Sequence, residues 1–225
     1  MNNKMSIKHH PSDALIVDYA SGAMGPGQSM VMAAHVHACA ECRDRVEAAE
    51  AAGGALLEDL NATPLSPDAL DRALASLDAA PVERPGSDVS PPMRTRATQP
   101  ADWIRVPPEV AEAERRKRWV APGVWVAPVD TGAQGGPLTY LLRVGQRMRM
   151  PQHTHAGCEL TLVLKGAFVD GQDRYGPGDV SEADDAVEHS PSILQGEECV
   201  CLVACDNRLI VREWLGRLVQ SYAGI

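Results

Sequence analysis

Two short stretches of this chain hold residue types that bind metal at spacings that let them converge. The first is "HVHACAEC", residues 35 to 42, in which His35, Cys39 and Cys42 form an H-x3-C-x2-C pattern. Residues at i, i+4 and i+7 stack on one side of a helix or across a tight helix-helix joint. Two thiolates and an imidazole suit tetrahedral zinc, which is four-coordinate in structural sites, so one ligand is still to be supplied. Its natural source is a histidine of "KHHPSD", residues 8 to 13, a segment that need only fold back. His9 and His37 are rival ligands.

The second stretch is "HTHAGCELTLVLKG", residues 153 to 166. On a strand, His153 and His155 share a face because side chains alternate with period two, and Glu159 keeps the same parity. The spacing from Gly145 through His153, His155 and Glu159 to Gly166 resembles the first motif of the cupin barrel, which uses those three residues as metal ligands. That resemblance implies a third histidine from a later strand, and His189, after "YGPGD", holds the position. The run from Gly178 to His189 is longer than in the family, and the usual Asn after the His is absent. Three imidazoles and a carboxylate suit Zn, Fe, Mn or Ni. Cys158, beside Glu159, would be an oxidation target if a nearby cation lowered its pKa, but such a Cys is more often only a small apolar residue. Cys199, Cys201 and Cys205 alternate along an apolar strand and are expected to be core.

The elements that position these clusters change type along the chain. Residues 1 to 80 read as four short helices. The first is capped by Ser12 or Asp13 and stopped at Gly22; two more span 27 to 37 and 40 to 59. The fourth lies in "LSPDALDRALASLDAA", with Ser66 as N-cap, Pro67 at N1, and Leu70, Leu74 and Leu77 at helical spacing, to be split between core and interface. Residues 81 to 100 carry Pro81, Pro85, Pro91, Pro92 and Pro100 and read as an extended linker. From 101 to 225 the pattern is of short strands broken by Gly and Pro: "GVWVAPV", "LTYLLRV", "ELTLVLKGAFV", "CVCLVAC" and "LIVREWL". Such runs favour a β-sandwich or barrel, led into by the charged and exposed "EAERRKRW". The fold class is therefore multidomain, α then β.

Composition narrows the function. At 225 residues the chain is long enough for two small domains, each able to bury a core. A net charge of −9 and a pI near 5.2 argue against a broad nucleic-acid face. Residues 1 to 80 hold eleven Asp and Glu against five Lys and Arg, a surface suited to a basic protein partner. No apolar run approaches membrane-spanning length, and the N-terminus lacks a signal-peptide core, so a cytoplasmic location and reduced thiols are expected.

"HVHACAEC" with the upstream "KHHPSDAL" resembles the zinc-binding anti-sigma domain, and the full layout resembles the ChrR-type anti-sigma factors, in which that domain precedes a cupin. The resemblance implies that His10 joins His35, Cys39 and Cys42 around a structural zinc. It implies zinc or another divalent metal at His153, His155, Glu159 and His189 of a jelly-roll-like barrel. It also implies an extracytoplasmic-function type sigma factor as partner, held away from RNA polymerase and released on an oxidant signal such as singlet oxygen. On this reading the protein is not an enzyme, binds no nucleic acid directly, and the cupin could pair weakly with a second copy. The alternative is a cupin metalloenzyme of dioxygenase or isomerase type with an N-terminal zinc-binding interaction domain.

Overall fold

The computed structural model describes residues 6–78, 104–132, 138–154, 156–207 and 210–211. The Pro-rich run 81 to 100, His155 and most of "LIVREWL" lie outside these residues.

Four helices fill the first segment: α1 (Asp13–Ala20), α2 (Pro26–Ala38), α3 (Ala40–Glu58) and α4 (Ala69–Asp78). Their ends follow from local chemistry. The Ser12 side chain accepts from the Leu15 N–H and starts α1. Cys39 adopts extended angles (φ −108°, ψ 111°), which separates α2 from α3, and its sulfur accepts from the Cys42 N–H at 3.5 Å. One residue thus acts as joint and cap. Helix α4 begins at Ala69, and Leu70, Leu74 and Leu77 are all exposed, at 68%, 53% and 79%. The expected division of these leucines between core and interface is corrected: none of the three is in the core.

A fifth helix, α5 (Pro108–Ala113), and a 3-10 turn (Glu114–Arg116) lead into the strands. Val110 and Ala113 are buried, so this lead-in is seated on the fold with its charged positions turned outward.

The strands are β1 (Arg118–Ala121), β2 (Val124–Pro128), β3 (Leu138–Val144), β4 (His153–Thr154), β5 (Glu159–Lys165), β6 (Phe168–Asp170), β7 (Asp173–Tyr175), β8 (Val180–Ala183), β9 (Ser192–Ile193), β10 (Cys199–Cys205) and β11 (Ile210–Val211). They form a six-stranded antiparallel sheet in the order β1-β2-β3-β10-β5-β8, a three-stranded sheet β7-β6-β9, and the pair β11-β4. Phe168 and Ile193 of the smaller sheet share a core with Val126, Tyr140, Val163 and Cys201 of the larger. Two sheets closed over a common interior give the cupin-like barrel.

Strand β10 shows why its sequence is apolar without interruption. Cys199, Cys201, Val203 and Cys205 face the barrel interior, whereas Val200, Leu202 and Ala204 face a second core built with the helices. A strand buried on both faces has no polar side. That second core joins Leu15, Ile16, Val31, Met32 and Val46 of the helical segment to Leu141, Leu160, Leu162 and Leu202 of the sheet. Helix α2 lies so close to the sheet that a Cβ at Gly27 would overlap the Thr139 hydroxyl and stand 3.6 Å from Ala204 Cβ. Beside it, the Val180 N–H donates to the His9 carbonyl at 3.1 Å, so the N-terminal segment runs along the edge strand β8.

Candidate metal centres

The first centre forms where the N-terminal segment meets the α2–α3 joint. His35 lies in the last turn of α2, Cys39 in the joint and Cys42 in the first turn of α3, so the helical break turns three spaced ligands inward. His10 arrives from the extended segment before α1. Its Nδ1 stands 3.4 Å from Cys39 Sγ and 3.3 Å from Cys42 Sγ. One donor atom from each of His10, His35, Cys39 and Cys42 lies within 4.8 Å of all the others. Arg45 secures the arrangement by donating to the Pro11 carbonyl at 3.3 Å and to the Asp13 carboxylate.

Polarity supports a metal here. The His35 side chain is fully buried, its Nδ1–H donates to the Gly178 carbonyl at 2.8 Å, and its Nε2 has no hydrogen-bond partner among the described residues. A buried imidazole nitrogen left unpaired is costly unless something binds it. Burial pushes the Cys42 thiol up to about 11, with the neighbouring Cys39 adding to the effect. A bound cation would reverse that cost by stabilising both thiolates. Two S and two N donors, three of them on buried residues and His10 partly buried, fit a structural zinc. His10 Nε2, on the far side of its ring, lies 3.6 Å from the Glu41 carboxylate.

The rival ligands stand elsewhere. His9 packs against the Tyr175 ring, centroids 4.2 Å apart and planes tilted by 33°, and its Nε2 lies 3.2 Å from the Arg174 carbonyl. His37 is exposed.

The second centre opens on the barrel interior. His153 and His189 face each other across a pair of backbone hydrogen bonds of 3.1 Å, with ring centroids 4.4 Å apart. Glu159 enters from the start of β5, and donor atoms of His153, Glu159 and His189 lie within 4.8 Å of one another. His155 lies outside the described residues. The His153 Nδ1–H donates to the Pro151 carbonyl at 2.8 Å and His189 Nδ1 pairs with the Asp170 carboxylate at 2.6 Å, so Nε2 is the atom each ring can offer a metal. Glu159 accepts from the Thr161 hydroxyl and the Cys205 thiol, both at 3.1 Å. Burial holds the His153 imidazole below its ordinary value, favouring the neutral ligand form, while the Pro151 hydrogen bond works against this.

Cys158 is half-buried just before β5. Burial first, then the carboxylates of Glu182, Asp206, Glu159 and Asp184, push its thiol up to about 11. Both influences favour the protonated thiol. Cys199, Cys201 and Cys205 are buried as expected, and all six cysteines are free.

Comparison with known proteins decides the family. The chain is 38% identical over 224 residues to the anti-sigma-E factor ChrR of Cereibacter sphaeroides, covering 97% of this chain and 99% of that protein. This chain belongs to the ChrR family of anti-sigma factors. Residues 109–207 match the family described as the ChrR Cupin-like domain. The crystal structure of Rhodobacter sphaeroides SigE in complex with the anti-sigma ChrR matches with a TM-score of 0.70 at 35% identity, covering 89% of this chain and all of that one. The α-then-cupin layout is thus that of the ChrR family along nearly the whole chain.

Within this ChrR-family fold, several residues that serve the centres carried no signal in the sequence. Asp170 pairs with His189 across 19 positions, and Glu41 sits beside His10 although it reads as an ordinary first-turn acid of α3. Asp179, only 3% exposed, binds the backbone of Lys8 and His9. The "YGPGD" turn marks its place as a loop, but nothing local shows which segment would dock there.

Proposed function

We propose that the chain is an anti-sigma factor whose helical segment sequesters an extracytoplasmic-function type sigma factor in the cytoplasm, and whose cupin senses an oxidant such as singlet oxygen and brings about release. The observation that carries the reading is a run of exposed leucines. Leu56, Leu57, Leu60, Leu65, Leu70, Leu74 and Leu77, spread over the end of α3, the connection after it and α4, are each more than half exposed. Seven exposed leucines within 22 residues are more apolar surface than a segment with no partner needs, and acidic residues between them suit a basic partner. The ChrR relative was crystallised with SigE. Among the described residues no helix is long and apolar enough to cross a membrane, in keeping with a cytoplasmic place of action.

In this mechanism, His10, His35, Cys39 and Cys42 would hold a zinc, which would cross-link the N-terminal segment to the α2–α3 joint. Arg45 fastens the start of α1 to α3, and the cysteine joint separates α2 from α3. His153, His155, Glu159 and His189 would hold zinc or another divalent metal in the cupin, with Asp170 and Pro151 fixing the ring tautomers of His189 and His153. The role is regulatory rather than catalytic.

Co-expression with the cognate sigma factor tests the reading. A stable complex is expected, and Leu74→Asp should abolish it while leaving the unfolding midpoint nearly unchanged, because Leu74 supports no core. A protein that binds no sigma factor, or a Leu74→Asp variant that binds as well as wild type, overturns it.

A further inference from the structure

Both histidines of the helical metal cluster are set in place by one turn of the cupin. We propose that Gly178, Asp179 and Val180 form the outer shell of the helical metal centre, with Asp179 as its positioning residue, so that cupin docking and metal affinity in the helical segment are coupled. The proposal rests on the reading of His10, His35, Cys39 and Cys42 as a metal site.

Three contacts carry it. The His35 Nδ1–H donates to the Gly178 carbonyl at 2.8 Å, which fixes the tautomer and aims Nε2 at Cys39 and Cys42. The Asp179 Oδ1 accepts from the Lys8 N–H at 2.6 Å and the His9 N–H at 3.0 Å. The Val180 N–H donates to the His9 carbonyl at 3.1 Å. Residues 8 and 9 are therefore held on both sides of the backbone, and His10 is delivered to the thiols from a fixed point. Asp179 is itself held, because its Oδ2 accepts from the Gly176 N–H at 2.7 Å.

Outer-shell partners of metal-bound histidine orient the ring and raise its basicity, and losing one lowers metal affinity by about 10- to 100-fold. Here that partner belongs to the cupin. Thermodynamic reciprocity then requires that whatever loosens docking weakens metal binding, and that loss of metal weakens docking by the same factor. Strand β8 continues from Val180 to Ala183, which pairs with Glu159 of the second centre. The docking turn and that carboxylate thus lie at opposite ends of one strand pair.

The test is a cobalt titration of the full chain, in which the thiolate-to-metal absorption reports only the cysteine-containing centre, with a competing chelator to give its affinity. Asp179→Ala should lose about 10- to 100-fold in affinity at this centre, with no ligand changed. Asp179→Asn keeps the single oxygen used by both amides and should lie between it and wild type. Because Asp179→Ala removes a buried group, Gly27→Leu supplies a second route: it pries α2 from Thr139 while leaving the ligands and the 178–180 turn intact, and it should also lower the affinity. Hydrogen exchange at Lys8, His9 and Val180 should speed up when the metal is removed from wild type. Unchanged affinity in folded Asp179→Ala overturns the coupling; if that variant does not fold, unchanged affinity in Gly27→Leu does so. A wild-type protein showing no thiolate absorption with cobalt instead overturns the underlying metal reading.

Discussion

Gln28 in α2 and Asp206 after β10 are joined by a hydrogen bond of 2.8 Å from amide Nε2 to carboxylate, across the seam between helices and sheet. The other carboxylate oxygen accepts from the Cys158 N–H at 3.0 Å, and the Asp206 N–H donates back to the Cys158 carbonyl at 3.0 Å. The loop before Glu159 is therefore clamped to the helix that carries His35. Removing Asp206 leaves a buried Gln28 amide and the Cys158 N–H without this partner. Asp206→Ala should cost about 1–3 kcal/mol in urea unfolding, and Gln28→Ala about 1 kcal/mol. Equal stability of both variants and wild type would show that the seam is not held here.

Metal uptake by the helical centre should depend on pH. With its thiol raised to about 11, Cys42 is protonated at neutral pH and must lose that proton on binding. Chelator competition between pH 6 and 8 should show affinity rising about tenfold per pH unit for each proton released. The sign is fixed by the raised pKa: protons compete with metal, so binding weakens as pH falls. A pH-independent affinity would rule out Cys42 as a ligand.

Much of this arrangement was legible beforehand, and the parts that were not share a cause. The H-x3-C-x2-C spacing, the Ser12 cap and the apolar strands depend on neighbours within a few residues, and local periodicity records them. Tertiary partners 143 to 178 positions away leave no such record: His35 with Gly178, Lys8 with Asp179, Gln28 with Asp206. The helical spacing of the α4 leucines marks an apolar face without saying what covers it, and all three are exposed. The unbroken apolar run of β10 likewise marked a buried strand but not that helices cover its second face.

Cys158 should react slowly. Its raised thiol and partial burial predict alkylation by iodoacetamide at pH 7.5 well below the rate of a free cysteine, and faster after Glu182→Gln removes the first carboxylate raising it. Peptide mass spectrometry over time measures both rates. Labelling of Cys158 as fast as that of a small free thiol would contradict the electrostatic picture.

The two centres should be separable by metal count. Glu159→Gln, which removes a carboxylate ligand but keeps the side-chain shape, should reduce the metal content from two to one per chain and leave the cobalt-thiolate absorption intact. Elemental analysis of dialysed protein gives the count. Loss of both metals at once would mean that the centres are not independent sites.

The central claim is that a zinc-organised helical segment holds a sigma factor. The most direct measurement is the affinity of the full chain for its cognate sigma factor, with the native protein and the Cys39→Ala, Cys42→Ala double variant compared at matched folding of the cupin. A tight one-to-one complex for the native protein and a loss of about a hundredfold or more for the variant are predicted, since structural zinc contributes folding free energy outright. Equal affinity of the two proteins, or no complex with either, would contradict the account.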